Sequence, residues 1–242
     1  MTLFLASVRD AVEAETALRC GADIIDLKDP AGGALGAVEP SIAREAVAAI
    51  AGRLPISMTI GDVPMVPDRI ADAVLAAAAC GADYVKIGVF PGGDAESCFE
   101  RLAAVSKDIK LVIVAFADCL PTFDVIELAA AMGATGVMLD TMKKGSGTLT
   151  DHMQWEALAG FVRRGRAAGL SVGLAGSLRA EHVRPLLALK PDVLGFRGAL
   201  CRGSRSSELD EMACRSIRCV IPPSEPRPAR QEPMVPIGVP AL

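Results

Sequence analysis

The chain has 242 residues, 51% of them hydrophobic and 4% aromatic, and its formal net charge is −4. Without a basic excess or many aromatic rings it has little with which to bind a phosphate backbone or stacked bases, so we expect no nucleic-acid partner. Seven cysteines without a CxxC pair, and only two histidines, do not indicate a metal site.

The beginning of the chain, MTLFLASVRD, has no basic region, and its apolar run is too short for a signal peptide. No other run approaches the length that spans a bilayer. An odd number of cysteines is typical of reduced, mostly buried thiols, so we expect a cytoplasmic protein without a membrane partner. No GxGxxG follows a predicted strand and no GxxxxGK[ST] occurs, so no nucleotide cofactor is predicted.

Short apolar runs alternate with alanine-rich helical patterns along the chain. The predicted strands are LFLASV (3–8), IIDLK (24–28), PISMTIG (55–61), YVKIGV (84–89), LVIVAFA (111–117), GVMLDT (136–141), SVGLAGS (171–177) and VLGFRG (193–198). Ser41, Asp68 and Thr122 are predicted N-caps of intervening helices. Eight such units predict an α/β fold, a single (β/α)8 TIM barrel over residues 1–220. A doubly wound parallel sheet is the alternative.

The junctions before the even-numbered strands resemble one another: CGADIIDLK (20–28), CGADYVKIG (80–88), MGATGVMLD (132–140) and, more weakly, LKPDVLGFR (189–197). Because side chains alternate across a strand, two sets of aligned positions share the inward face. The sets are Asp26, Lys86, Met138 and Gly195, and then Lys28, Gly88, Asp140 and Arg197. The pattern predicts that Lys28, Asp140 and Arg197 lie at one level near the carboxyl-terminal mouth of the barrel.

Charged side chains inside a barrel are costly unless they are paired or functional. A lysine among other cations and apolar walls loses its proton more readily, and its amine can then form a Schiff base with a carbonyl compound. Lys28 is the candidate nucleophile, with Asp26 two residues earlier as a group that orients its amine. Lys86 and Asp140 are candidates for proton transfer. A purely structural ion-pair network is the alternative.

Glycines cluster after the seventh and eighth predicted strands, in GLAGSL (173–178) and GFRGALCRG (195–203). Loops at these positions of a TIM barrel often bind phosphate through backbone N–H groups, and arginine adds bidentate recognition. Gly176, Ser177, Arg197 and Gly198 are the predicted phosphate-binding residues. The segment PAGGALGA after Lys28 is interpreted either as a second anion site or as a lid.

The segment 221–242, IPPSEPRPARQEPMVPIGVPAL, holds seven of the sixteen prolines. This composition does not suit a barrel helix and predicts an extended or disordered tail. A partner-binding polyproline segment is the alternative.

Taken together, DLKDPAGGALGA, TIGDVP (59–64), GADYVKIG, MLDT with its lysine loop, LAGS and GFRGALC resemble the (5-formylfuran-3-yl)methyl phosphate synthase family, also called 4-(hydroxymethyl)-2-furancarboxaldehyde-phosphate synthase. The resemblance covers residues 1–220 in order. It implies a TIM barrel that condenses two molecules of glyceraldehyde 3-phosphate, a step toward methanofuran in methanogenic archaea and methylotrophic bacteria. It implies a Schiff-base lysine at Lys28 and a proton-transfer lysine at Lys86.

The resemblance further implies site aspartates at Asp26 and Asp140, and a site lysine at Lys144, although its neighbour Lys143 competes for that role. No metal or cofactor is implied. The alternatives are another Schiff-base aldolase or phosphosugar isomerase on the same scaffold, and a phosphometabolite-binding protein without turnover. A homo-oligomer is expected because alanine-rich barrels commonly associate through their outer helices.

Overall fold

A computed structural model describes residues 1–105 and 107–223, within which eight parallel strands form one closed barrel. The strands are β1 (Leu3–Val8), β2 (Ile24–Leu27), β3 (Ile56–Thr59), β4 (Tyr84–Gly88), β5 (Leu111–Phe116), β6 (Gly136–Asp140), β7 (Ser171–Leu174) and β8 (Val193–Phe196). Each strand pairs with the next, and β8 pairs with β1 from Leu3↔Val193 to Ala6↔Phe196. The predicted (β/α)8 barrel is confirmed, and closure excludes the doubly wound sheet.

The helices are α1 (Ala11–Arg19), α2 (Pro40–Ile50), α3 (Pro67–Ala79), α4 (Ala95–Val105), α5 (Val125–Ala131), α6 (Leu149–His152), α7 (Trp155–Ala167), α8 (Ala180–Ala188) and α9 (Glu211–Val220). The predicted N-caps were wrong. Ser41 and Asp68 lie inside first turns that start at prolines, whose fixed φ suits that position. Asp124, rather than Thr122, caps α5 by accepting from two backbone N–H groups.

Side chains alternate across the strands as the junction pattern predicts. Ile25 and Leu27 on β2, like Val85 and Ile87 on β4, belong to the core between the barrel and its helices. A second, smaller apolar cluster lies inside the barrel and includes Met138. The charged residues of β2, β4 and β6 must therefore point into the lumen.

The aspartates of the repeated junctions hold neighbouring strands together at the amino-terminal end of the barrel. Asp23 accepts from Phe4 N at 2.8 Å, Asp83 from Ile56 N at 2.9 Å, and Asp192 from Val172 N at 2.9 Å. Each carboxylate thus satisfies a backbone donor of the preceding strand. This shared contact gives the junction aspartates a structural role at the end of the barrel opposite the candidate site.

The β2–α2 loop packs Leu35 into the lumen of the barrel. Leu35 is buried in the lumen cluster, and a Cβ on Gly88 would lie 2.8 Å from Leu35 Cδ1. The loop is held by Asp62, which accepts from Ala34 N at 2.8 Å and Leu35 N at 2.7 Å. Because a carboxylate of the protein already occupies these N–H groups, they do not form the second anion site considered for PAGGALGA.

Ile221 packs in the main core directly after α9, whereas the predicted proline-rich tail lies outside the described residues from position 224 onward. In the part of the chain that the structure describes, no helix has the length and apolar character needed to cross a membrane. The cysteines are free, and most are buried, as expected.

Candidate active site

Asp26 and Lys86 form an ion pair at the base of the lumen. Lys86 Nζ lies 2.7 Å from the Asp26 carboxylate, and both side chains are nearly inaccessible to solvent. Ser7 and Ser57 also donate to Asp26, from the neighbouring strands β1 and β3. Asp26 is therefore fully engaged. The expected contact between Asp26 and the Lys28 amine is replaced by this pair, because Lys86 lies on the same layer as Asp26.

Asp140 lies above this pair and contacts two lysines. Its Oδ1 accepts from Lys144 Nζ at 2.7 Å and from Thr141 N at 2.7 Å. Its Oδ2 is 3.4 Å from Lys28 Nζ, a long contact. Lys144 also donates to Thr141 O. Lys144, which follows β6 by four residues, therefore reaches the cluster, whereas Lys143 is exposed and its backbone N–H donates to Asp118.

The electrostatics of the cluster single out Lys28. The pKa of Lys28 is lowered to about 8, chiefly by burial and also by the positive charges of Lys144 and Lys86, while Asp140 opposes the shift. Burial tends to raise the pKa of Asp140, but Lys28 and Lys144 hold it well below its usual range. Two carboxylates, Asp26 and Asp140, face three ammonium groups, so one ammonium has no carboxylate of its own. That ammonium is Lys28, whose contact with Asp140 is the long one.

A cleft of about 890 Å³ opens above these residues at the carboxyl-terminal mouth. Lys28, Lys86, Asp140 and Lys144 line it, and Asp26 lies beneath it. The cleft extends over the loops that follow β7 and β8, which contribute the predicted residues Gly176, Ser177, Arg197 and Gly198.

Those loops expose backbone donors to the cleft. Gly176 and Ser177 have positive φ, +105° and +52°. The chain then enters α8, while Gly198 begins a 3₁₀ turn (Gly198–Leu200). No acceptor within residues 1–105 and 107–223 bonds the N–H of Ser177 or Gly198. These donors and helix starts are the features that bind anions in proteins.

Arg197 follows β8 as predicted, but its guanidinium turns toward α1 instead of the Lys28–Asp140 level. It pairs with Glu13 through both terminal nitrogens. It also donates to Ser7 O at 3.2 Å, Arg205 O at 2.8 Å and Ser207 O at 2.9 Å. These contacts use the five N–H groups of the side chain and argue against direct phosphate binding by Arg197.

Arg205, which the sequence patterns did not single out, lines the cleft from the loop after β8. Burial lowers the pKa of its guanidinium, and Asp140, Asp29 and Asp62 favour its charge. Its Nη2 lies 3.3 Å from Gly33 O in the β2–α2 loop. The sequence feature that could have indicated Arg205 is the second arginine of CRGSRSS (201–207), in the glycine-containing loop after β8.

A closed (β/α)8 barrel with a buried lysine–carboxylate cluster below a loop-lined cleft defines an enzyme-like barrel whose candidate site is at the carboxyl-terminal mouth. The chain belongs to the 4-HFC-P synthase family, whose model matches residues 4–218. The (5-formylfuran-3-yl)methyl phosphate synthase of Archaeoglobus fulgidus is 37% identical over 217 residues, covering 84% of this chain and 92% of that protein. A Methylorubrum extorquens protein that carries the same name provisionally is 44% identical over 207 residues, covering 85% and 86%.

Among solved structures, phosphoribosyl anthranilate isomerase from Thermus thermophilus superposes with a TM-score of 0.63 at 18% identity, covering 91% of this chain and 98% of that chain. At this identity the similarity shows the fold alone.

Proposed function

We propose that this protein is a synthase that condenses two molecules of glyceraldehyde 3-phosphate into (5-formylfuran-3-yl)methyl phosphate, with loss of inorganic phosphate and water, for methanofuran biosynthesis. In this proposal it acts as a carbon–oxygen lyase on phosphates through a Schiff base at Lys28. The observation that carries the proposal is the loosely held Lys28 amine, whose pKa is lowered to about 8 inside the cleft. Family membership and the names of the relatives support the choice of product.

The lowered pKa of Lys28 supplies the nucleophile. At pH 7 about a tenth of the amine is neutral, against roughly 3 in 10,000 for an ordinary lysine, so the population of nucleophile rises about 300-fold. The neutral amine attacks the aldehyde carbon of one triose phosphate, and the carbinolamine loses water to give an imine. Loss of a proton from the carbon next to the imine gives an enamine, which forms the bond to the second aldehyde.

The remaining groups of the cluster are suited to proton transfer. Lys144 and Asp140 form a donor–acceptor pair beside the Lys28 amine, where water must leave from the carbinolamine. Lys86 lies deeper, with Asp26 and its two serine donors fixing its position. Dehydration and phosphate loss require several transfers, and in this proposal these two pairs carry them.

Borohydride trapping tests the Schiff base. Wild-type protein incubated with glyceraldehyde 3-phosphate and borohydride is expected to gain a covalent mass on the peptide that contains Lys28. Lys28→Arg keeps the positive charge but offers no usable nucleophile, so it should give no adduct and no turnover. A wild-type protein without an adduct, or an active Lys28→Arg variant, would show the mechanism to be wrong.

Product analysis tests the reaction itself. NMR and mass spectrometry of the mixture formed from glyceraldehyde 3-phosphate alone should show a furan aldehyde phosphate and released phosphate in equal amounts. An aldol or an isomerised triose as the final product would favour the aldolase or isomerase alternative. No chemical change at all would favour a phosphometabolite-binding protein.

A further inference from the structure

We infer that Arg205 is the guanidinium that binds a substrate phosphate in the cleft, and that the Glu13–Arg197 pair positions the loop that carries it. The inference rests on the proposed function for the identity of the substrate, a phosphorylated triose. It assigns the cationic part of the phosphate site to a residue other than the arginine that follows β8.

The hydrogen bonds of the two arginines separate their roles. The guanidinium of Arg197 is buried, and its donors are engaged by Glu13 and by three backbone carbonyls. Binding phosphate there would take its bidentate partner from the buried Glu13 carboxylate, which would keep only its contacts with Arg9. Such an exchange is costly because it breaks a buried ion pair.

Arg205 has the opposite character. Its guanidinium makes one long hydrogen bond, to Gly33 O, and no other acceptor within residues 1–105 and 107–223 bonds its remaining N–H groups. The side chain lies in the wall of the cleft. A half-buried guanidinium with open donors is suited to bidentate recognition of a phosphate.

The position of Arg205 relative to the backbone donors supports the same assignment. A Cβ added to Gly198 would lie 3.9 Å from Arg205 Cβ, so the arginine begins beside the open N–H group of Gly198. A phosphate at this place would contact a backbone donor and a guanidinium. Asp140, which interacts electrostatically with Arg205, links this place to the lysine cluster.

Glu13 and Arg197 determine where Arg205 lies. Arg197 Nε donates to Arg205 O and Arg197 Nη2 donates to Ser207 O, so two points of the loop are fixed by one side chain. Glu13, in the first turn of α1, holds that side chain with both carboxylate oxygens. Glu13 and Arg197 are therefore positioning residues that act on the phosphate through Arg205.

Binding of glycerol 3-phosphate to the full-length protein tests the inference, because this compound carries the phosphate but has no carbonyl that could form an imine. We expect Arg205→Ala to weaken its binding, measured by calorimetry, by about tenfold to hundredfold, equivalent to about 1.4 to 2.8 kcal/mol. Arg205→Lys should recover only part of the affinity. Arg202→Ala is the matched control, because Arg202 is in the same loop and its side chain is 84% exposed, so its affinity should stay within twofold of wild type.

The positioning role of Glu13 is tested by a separate measurement. Glu13→Gln keeps the shape of the side chain but removes its charge. We expect a higher KM for glyceraldehyde 3-phosphate with little change in kcat, and a circular dichroism spectrum like that of wild type. A fall in kcat with unchanged KM would contradict the positioning role.

The outcomes separate this inference from the proposed function. An Arg205→Ala variant that binds glycerol 3-phosphate as tightly as wild type overturns the inference, and so does a wild-type protein that does not bind it. If wild type forms no borohydride adduct but its binding of glycerol 3-phosphate depends on Arg205, the proposed function fails while the phosphate site stands.

Discussion

The ammonium of Lys144 adds to burial in lowering the pH at which Lys28 becomes a nucleophile. Lys28 and Lys144 contact different oxygens of the Asp140 carboxylate, at 3.4 and 2.7 Å. Lys144 both repels a proton on Lys28 and competes with it for Asp140. Replacing Lys144 by methionine keeps the length of the side chain, removes the charge and leaves Asp140 to Lys28. We therefore expect Lys144→Met to raise the pKa of Lys28.

The magnitude follows from the geometry. Both Nζ atoms contact one carboxylate; with ~5 Å taken as their separation, unit charges repel by ~3 kcal/mol at an effective dielectric constant of about 20. This energy corresponds to ~2 pKa units. Because Lys144 is partly open to the cleft, with 17% of its side chain exposed, we expect a shift of about one unit. The neutral fraction of Lys28 at pH 7 should then fall about tenfold.

The assay is carbamylation of Lys28 by cyanate, followed by peptide mass spectrometry over a range of pH. It reports the amine alone, so a separate catalytic role of Lys144 does not affect it. The reaction accelerates as the pH rises through the pKa, which is about 8 in wild type, and Lys144→Met should move that rise to higher pH. Lys143→Met is the matched control, since Lys143 is exposed, and it should leave the profile unchanged.

A substitution with the opposite expected effect tests the direction of the pKa shift of Lys28. Asp140 raises the pKa of Lys28, so Asp140→Asn should move the carbamylation profile to lower pH and make Lys28 more reactive at pH 7. The reasoning is refuted if Lys144→Met and Asp140→Asn shift the profile in the same direction, or if Lys143→Met shifts it as much as Lys144→Met.

Two further variants test the packing of the site through stability. A Cβ at Gly33, where φ is +113°, would lie 2.2 Å from Asp62 Oδ2; Gly33→Ala should lower the free energy of unfolding by about 1 to 3 kcal/mol in denaturant titrations. Gly92→Ala, at a positive φ with open space around it, is the control and should cost less; equal losses would contradict the clash. Lys86→Met leaves the buried Asp26 carboxylate without its lysine and should lower the free energy of unfolding by about 3 to 5 kcal/mol. Adding Asp26→Asn should recover part of that loss. Additive losses in the double variant would contradict the pairing.

The sequence determined the barrel and the inward face of its strands. A period of two in IIDLK and YVKIG puts Asp26, Lys28 and Lys86 on the face opposite the apolar residues that pack under the helices. This alternation can be predicted from one strand without knowing its neighbours. Repeated glycine-ended junctions set the same register for several strands. For these reasons the strand residues Asp26, Lys28, Lys86 and Asp140 were predictable, whereas the loop residue Lys144 was implied only by the family resemblance.

The tertiary structure decided which of these charges pair and which donors stay open. Asp26 pairs with Lys86, 60 residues away, and not with Lys28; Arg197 is satisfied by Glu13 on another element, and Arg205 is left facing the cleft. Pairing depends on distances of a few ångströms between side chains of different strands and loops. Such distances follow from barrel closure and loop packing, which no local pattern contains. The sequence therefore identified the charged residues of the strands, and only the fold assigned their partners and brought Arg205 to the cleft.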